Sequence, residues 1–260
     1  MLDGASPAAF DPLFFKAIET DGVLAPFHRL GGRTLIALDG TEHFCSRKIH
    51  CKRCSTRRRS DGGTEYFHAF LGASIVAPGH TRVLPLPPEF VAPQDGAEKQ
   101  DCERNAAKRW LARHGPAVAH LRPVYLGDDL FSCQPIAEAI HQAGGNFILT
   151  CKPSSHQTVA EYLHGATPEE HRQTEIVRGK RTTTIYRWLS EVPLRATGDA
   201  LAVNWVSIEI QNPSGKRTYH NSFVTDLDVN AGNVAELAAC GRARWKIESV
   251  PQGHTERSSS

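Results

Sequence analysis

The sequence has no apolar run approaching the ~20 residues that span a bilayer as a helix, which argues against a bundle of membrane helices. Its first residues, MLDGASPAAFDPLFF, lack the basic start and long apolar stretch of a secretory signal, so the expected compartment is the cytoplasm. Seven cysteines, odd in number and unevenly spaced, argue against a disulfide framework. There is no second Cys-x-x-Cys, no internal repeat, and no low-complexity stretch beyond the terminal RSSS. The net charge of +2 carries no overall bias toward nucleic acid. What is present is ordinary for a globular chain: 260 residues, 40% hydrophobic and 22% charged, enough to bury a full core. Charge is uneven in one place, where Arg47 to Arg59 holds seven Lys/Arg and no acid.

The pattern along the chain predicts an α/β protein. Residues 1–32 are poorly patterned, with FFKAIET as a helix fragment. RTLIALDG (33–40) is an unbroken apolar run ending in Asp-Gly, which suits a strand buried on both faces. The basic stretch 45–63 reads as a loop. EYFHAFLGASIVAPG and TRVLPLPPEFV read as two strands paired with the first. At 98–115 the period changes: Cys102, Ala106 and Trp110 recur every four residues, and Gly115 closes an amphipathic helix. RPVYLGDDLF, SCQPIAEAIHQAGG and NFILTCKP continue as strand, helix and strand, implying right-handed crossovers. Residues 156–232 alternate, are rich in Thr, Val, Tyr and Trp, and carry the turn NPSG, so an antiparallel β region is expected there. A last helix is expected from about Asn233 to Val250, with Leu237, Gly241 and Trp245 on one face.

Two of the buried strands end in acid: Asp39 after TLIAL, and Asp128/Asp129 after VYLG. Chemistry in open α/β sheets gathers beyond the carboxyl ends of strands. If these strands are neighbours, the carboxylates share a crevice, and Glu248 of the last helix completes a cluster of three. Close carboxylates repel one another, and divalent cations relieve this. Oxygen-only donors favour Mg²⁺ or Mn²⁺, and two such ions suit an in-line phosphoryl displacement. The plainer reading is a turn at Asp39-Gly40, a solvated loop at Gly127-Asp128-Asp129 and a surface acid at Glu248.

The stretches LIALDGTEHFCSRKIHC, PPEFVAPQDGAEKQDCERNAAKRWL, PVYLGDDLFSCQPI and RARWKIES resemble the catalytic region of bacterial insertion-sequence transposases of the Asp-Asp-Glu type. The resemblance runs from about residue 30 to Val250. It implies a ribonuclease-H-like mixed sheet flanked by helices, with an antiparallel β region inserted before the glutamate helix. It divides the chain into a remnant N-terminal segment (1–32), a catalytic core (33–155), the inserted β region (156–232), a closing catalytic helix (233–250) and a disordered tail (251–260). It implies that Asp39, Asp128 and Glu248 bind two Mg²⁺ or Mn²⁺ ions, with Asp129 the alternative to Asp128. Phe131 matches the aromatic that often follows the second Asp, and Arg244 the arginine that contacts a DNA phosphate one helical turn before the glutamate. The implied partners are double-stranded DNA, as transposon end and target, and a second copy in a homodimer.

Two positions depart from the family pattern. Gly241 stands where a Tyr is common, and Thr255, beyond Pro251, where a Lys is common. Proline ends helices, so the final helix is expected to stop early, as in a truncated chain. The alternatives to an active transposase are therefore an inactive DNA-binding remnant and a metal-dependent nuclease of the same fold.

The basic stretch contributes Arg47, Lys48, Lys52, Arg53, Arg57, Arg58 and Arg59 as DNA-phosphate contacts, against a reading as a solvated loop. Within it, His50-Cys51-Lys52-Arg53-Cys54 offers Cys51 and Cys54 to zinc, with His43 and Cys45 nearby; a closed site needs four ligands. Trp110 and Trp245 are expected in the core. For Trp188 and Trp205 the resemblance suggests contact with the transposon end, while sheet core is the default. His68 and His141 receive no role.

Overall fold

The run Thr34–Leu38 is buried on both faces. In the computed structural model, which describes residues 7–91, 101–177 and 179–247, it opens an interior strand of one mixed sheet. The strands are β1 (His28–Arg29), β2 (Arg33–Ser46), β3 (Ser55–Arg58), β4 (Thr64–Val76), β5 (Leu84–Val91), β6 (Pro123–Gly127), β7 (Asn146–Thr150), β8 (Glu169–Val177), β9 (Lys180–Pro193), β10 (Ala202–Gln211) and β11 (Arg217–Thr225). The helices are α1 (Asp11–Ile18), α2 (Glu103–Val118), α3 (Gln134–Gln142), α4 (Gln157–His164) and α5 (Val234–Arg242). Across the sheet the order is β3-β4-β2-β6-β7-β11-β10-β9-β8, with β5 on β4 and β1 on β2. β2, β6 and β7 are parallel to one another; β4 is antiparallel to β2 and to β5. The protein is thus mixed α/β, with helices packed on the sheet.

Strand alternation divides the core into two layers. Ile36, Leu38, Tyr125, Phe147 and Leu149 face α2 and α3, where Trp110, Leu111 and Ile136 are buried. Leu35, Ala37, Leu126 and Ile148 face α5, against Leu237 and Ala238. The indole of Trp110 donates to the Pro87 carbonyl at 2.7 Å, so its polar atom is satisfied inside the core.

Several expectations need correction. β5 pairs with β4, not with β2. The predicted loop 45–63 contains the end of β2 and all of β3. Helix α2 runs through Gly115 and Pro116 to Val118. Gly115 serves packing: a Cβ there would lie 2.7 Å from the Ala143 Cβ. The predicted inserted region begins with α4, and its last strand, β11, pairs with β7, so it extends the same sheet. In the NPSG turn, the Asn212 side chain accepts from the backbone N–H groups of Ser214 and Lys216, and Gly215 takes φ +78°. The N-terminal segment supplies α1, and Ile18 and Phe27 join the core.

The last helix differs most. α5 ends at Arg242, and a 3₁₀ segment follows at Ala243–Ile247. Trp245 is 55% exposed instead of buried, because a 3₁₀ segment has three residues per turn and carries residue 245 off the face shared by Leu237 and Gly241. Gly241 is buried where a Cβ would meet the Phe223 ring at 2.8 Å and Ile148 at 3.0 Å; a tyrosine could not occupy that position in this packing. Trp188 and Trp205 are buried in the sheet.

Candidate functional site

β2 and β6 lie side by side and run parallel, with Ala37 opposite Leu126. Asp39 and Asp128 each come two residues later, at matched height, but only Asp128 follows a strand end. β2 was expected to stop at Asp39 and instead continues to Ser46, with Asp39 opposite Gly72 of β4, because that strand keeps pairing with it. The apolar runs that carry them are buried because they sit mid-sheet; the acids appear where that cover ends. Asp39 is about one-fifth exposed, and the Arg244 guanidinium donates to its Oδ1 at 3.2 Å. Asp128 Oδ1 accepts from the Leu130 N–H at 2.8 Å.

A third acid, unassigned by sequence reasoning, reaches this place from the other side. Glu103 opens α2, and its carboxylate fills the space that a side chain at Gly40 would take, with a built Cβ 2.1 Å from its Cδ. Burial first, and the Asp128 carboxylate second, push the Glu103 pKa up. Asp39, Glu103 and Asp128 thus gather acidic oxygens at this end of the sheet, whereas the residues whose donor atoms converge closely enough to hold one ion, among the described residues, are Cys51, Cys54 and His68. The sequence signal for Glu103 was slight: an acid in the first turn of a helix is common for dipole reasons alone.

Asp129 does something different. Its Oδ1 accepts from the Lys152 N–H at 2.7 Å and lies 3.1 Å from His156 Nε2, and its Oδ2 accepts from the Ser155 hydroxyl. It ties the β6 end to the loop after β7. This satisfied carboxylate is a structural clamp, and Asp128 is the better candidate for a ligand.

Beside Asp128 and Asp129 opens a cleft of about 480 Å³, bordered by Lys152, Arg242, Arg244, Tyr219 and Trp245. The Arg242 guanidinium lies over the Tyr219 ring, 4.5 Å from its centre. The cleft therefore joins the two acids after β6 to cations and aromatic faces. Lys152, Arg242 and the exposed Trp245 were not assigned to a site from sequence. Glu248, the third predicted acid, lies outside the described residues, as does the predicted tail 251–260.

The basic stretch occupies the far end of β2. Asp39 and Arg47 are eight residues apart along the chain, about 25 Å at the rise of a strand. Its charge is partly neutralised: Arg57 pairs with Glu42 at 2.8 Å and Glu65 at 2.6 Å, and Arg59 with Asp61 at 3.2 Å. Arg47, Lys48, Lys52, Arg53 and Arg58 are exposed and form no ion pair among the described residues. Cys45 faces the Arg57 side, 3.6 Å from its Nη2. Cys51 and Cys54 instead converge on His68 of β4, each sulfur 3.3 Å from Nε2 and 3.9 Å from the other.

No protein-family model and no curated protein sequence matches this chain. The functional reading therefore rests on the residues and their geometry. Among the described residues, no helix is long and apolar enough to cross a membrane.

Proposed function

We propose that this chain is the catalytic domain of a DDE-type insertion-sequence transposase, a polynucleotidyl transferase acting on double-stranded DNA. One observation carries the reading: Asp39 and Asp128 follow the buried, paired runs of neighbouring parallel strands in matched register, and the segment after α5 folds back so that Arg244 meets Asp39. Arg244 precedes Glu248 by four residues. The block β5-β4-β2-β6-β7, antiparallel on one side of β2 and parallel on the other, supports a ribonuclease-H-like core.

In this reading Asp39, Asp128 and Glu248 hold two Mg²⁺ or Mn²⁺ ions. The ions would lower the pKa of the attacking hydroxyl and stabilise charge on the scissile phosphate. Lys152, Arg242 and Arg244 supply positive charge to the DNA backbone along the cleft. Arg244, paired with Asp39, keeps that carboxylate oriented. The exposed Trp245 offers a stacking face to an unpaired base. Water first cleaves a phosphodiester at the transposon end and leaves a 3′-hydroxyl. That hydroxyl then attacks a target phosphodiester; one P–O bond forms as another breaks, so joining needs no external energy source. A homodimer would hold the two ends together.

The test is cleavage and joining of a labelled transposon-end duplex in Mg²⁺ by the wild type and by Asp39→Asn. Products from the wild type alone are expected. Equal cleavage by Asp39→Asn overturns the assignment. Cleavage without joined strands identifies a hydrolytic nuclease, and binding without cleavage an inactive DNA-binding remnant.

A further inference from the structure

We propose that Cys51, Cys54 and His68 form a zinc site that fastens the basic loop 47–54 onto strand β4. The two cysteines sit in the loop between β2 and β3; His68 lies on β4, 14 residues after Cys54. The three donor atoms lie within 4.8 Å of one another.

The separations fit tetrahedral coordination. With Zn–S near 2.3 Å and Zn–N near 2.0–2.1 Å, tetrahedral angles put two sulfurs roughly 3.8 Å apart and a sulfur and nitrogen roughly 3.6 Å apart. The corresponding distances are 3.9 Å between the sulfurs and 3.3 Å from each sulfur to Nε2. Hydrogen bonding alone accounts poorly for this arrangement. A neutral imidazole nitrogen has one lone pair and can accept one proton, yet two thiols approach it at the same distance. A shared cation resolves the conflict, since all three groups then act as donors to it. Two soft sulfurs and an imidazole select zinc over the hard cations that suit Asp39 and Asp128.

The backbone completes the arrangement. The Arg53 N–H donates to Cys51 Sγ at 3.3 Å, and the Cys51 N–H donates to Cys54 Sγ at 3.2 Å. Such donors orient the ligands and satisfy the lone pairs of metal-bound sulfur. Cys54 is buried and Cys51 exposed. The fourth position is left to solvent, beside a cleft of about 470 Å³ that His43, Arg53 and His68 border. Cys45, on the Arg57 side of the sheet, takes no part.

The consequence is mechanical. Exposed Arg47, Lys48, Lys52 and Arg53 all lie in the loop that the ion would tie down. A pre-ordered loop loses less conformational entropy when it meets a polyanion.

The experiment uses the full chain expressed with added zinc and purified without chelators. Elemental analysis should give one zinc per chain, at least tenfold less in Cys51→Ser, Cys54→Ser and His68→Ala, and no change in Cys102→Ser. Stripped wild-type protein titrated with Co²⁺ should develop tetrahedral and thiolate charge-transfer absorption. In the same sample, zinc should protect Cys51 and Cys54 from alkylation while the exposed Cys45 and Cys102 still react. That mapping needs no variant to fold. Wild-type protein without zinc and without the Co²⁺ spectrum overturns the proposal. So does zinc retained in the Cys51→Ser/Cys54→Ser double variant, or a Cys51–Cys54 disulfide in its place. None of these results bears on cleavage by Asp39.

Discussion

The Arg244 guanidinium lies 3.2 Å from the Asp39 carboxylate although 205 residues separate them along the chain. Both side chains are about one-fifth exposed. The pair fastens the segment after α5 onto the strand that begins the core. An ion pair of this partial burial falls between the surface and interior cases, so Arg244→Ala is expected to cost about 1–3 kcal/mol. Urea unfolding of Arg244→Ala, Asp39→Asn and the double variant measures the coupling. Strictly additive losses would mean that the pair contributes no stability.

Glu103 gives a pH signature. Burial and Asp128 raise its pKa in the folded chain, so the folded state holds that proton more tightly than the unfolded state. The stability linked to it is fully present below the unfolded glutamate value, about 4.3, and declines as pH rises toward the folded value. Glu103→Gln cannot ionise. It should melt above the wild type at pH 7, with the difference closing as pH approaches 4. Parallel melting curves at every pH would refute the crowding.

Asp128 and Asp129 should separate cleanly. Asp129→Ala removes a carboxylate bonded to Lys152 N–H and the Ser155 hydroxyl, and is expected to cost about 2–3 kcal/mol. Asp128→Asn keeps an acceptor for the Leu130 N–H and relieves Glu103 of a like charge, so its melting temperature should hold or rise while Mg²⁺-dependent cleavage is lost. Thermal melts beside a cleavage assay decide this; the reverse pattern would make Asp129 the ligand.

The basic stretch should act unevenly on DNA. Each phosphate contact adds about 0.9 to the slope of log affinity against log salt. Arg53→Ala and Lys52→Ala should each lower that slope by about this amount. Arg57→Ala should lower it less, because Arg57 already pairs with Glu42 and Glu65. Equal changes for all three, measured by fluorescence anisotropy over a salt series, would show that the pairs open on DNA.

Much of the sheet was legible because a strand buried on both faces leaves an unbroken apolar run. TLIAL and VYLG admit few other readings, and an acid at the end of each marks where burial stops. The second half of β2 was not legible. Thr41–Ser46 is half exposed and rich in polar side chains, and it is a strand because β4 pairs with it residue by residue through a bulge after Glu42. Gly115 read as a helix stop because glycine's freedom is a local property. Its actual role, close approach to Ala143, depends on a residue 28 positions away. His68 had no local signal at all: it acquires meaning from two cysteines on another segment.

The residue pattern alone determined an α/β chain with an aspartate after each of two buried apolar runs, since burial and alternation are written in neighbouring residues; the continuation of β2 beyond Asp39 is not written there. Tertiary structure decided that those strands are adjacent, that Glu103 and Arg244 approach the aspartates, and that β11 joins the same sheet. It also brought His68 to Cys51 and Cys54. These are contacts between distant segments, and they depend on how the chain's apolar surfaces close over one another, which no local spacing encodes.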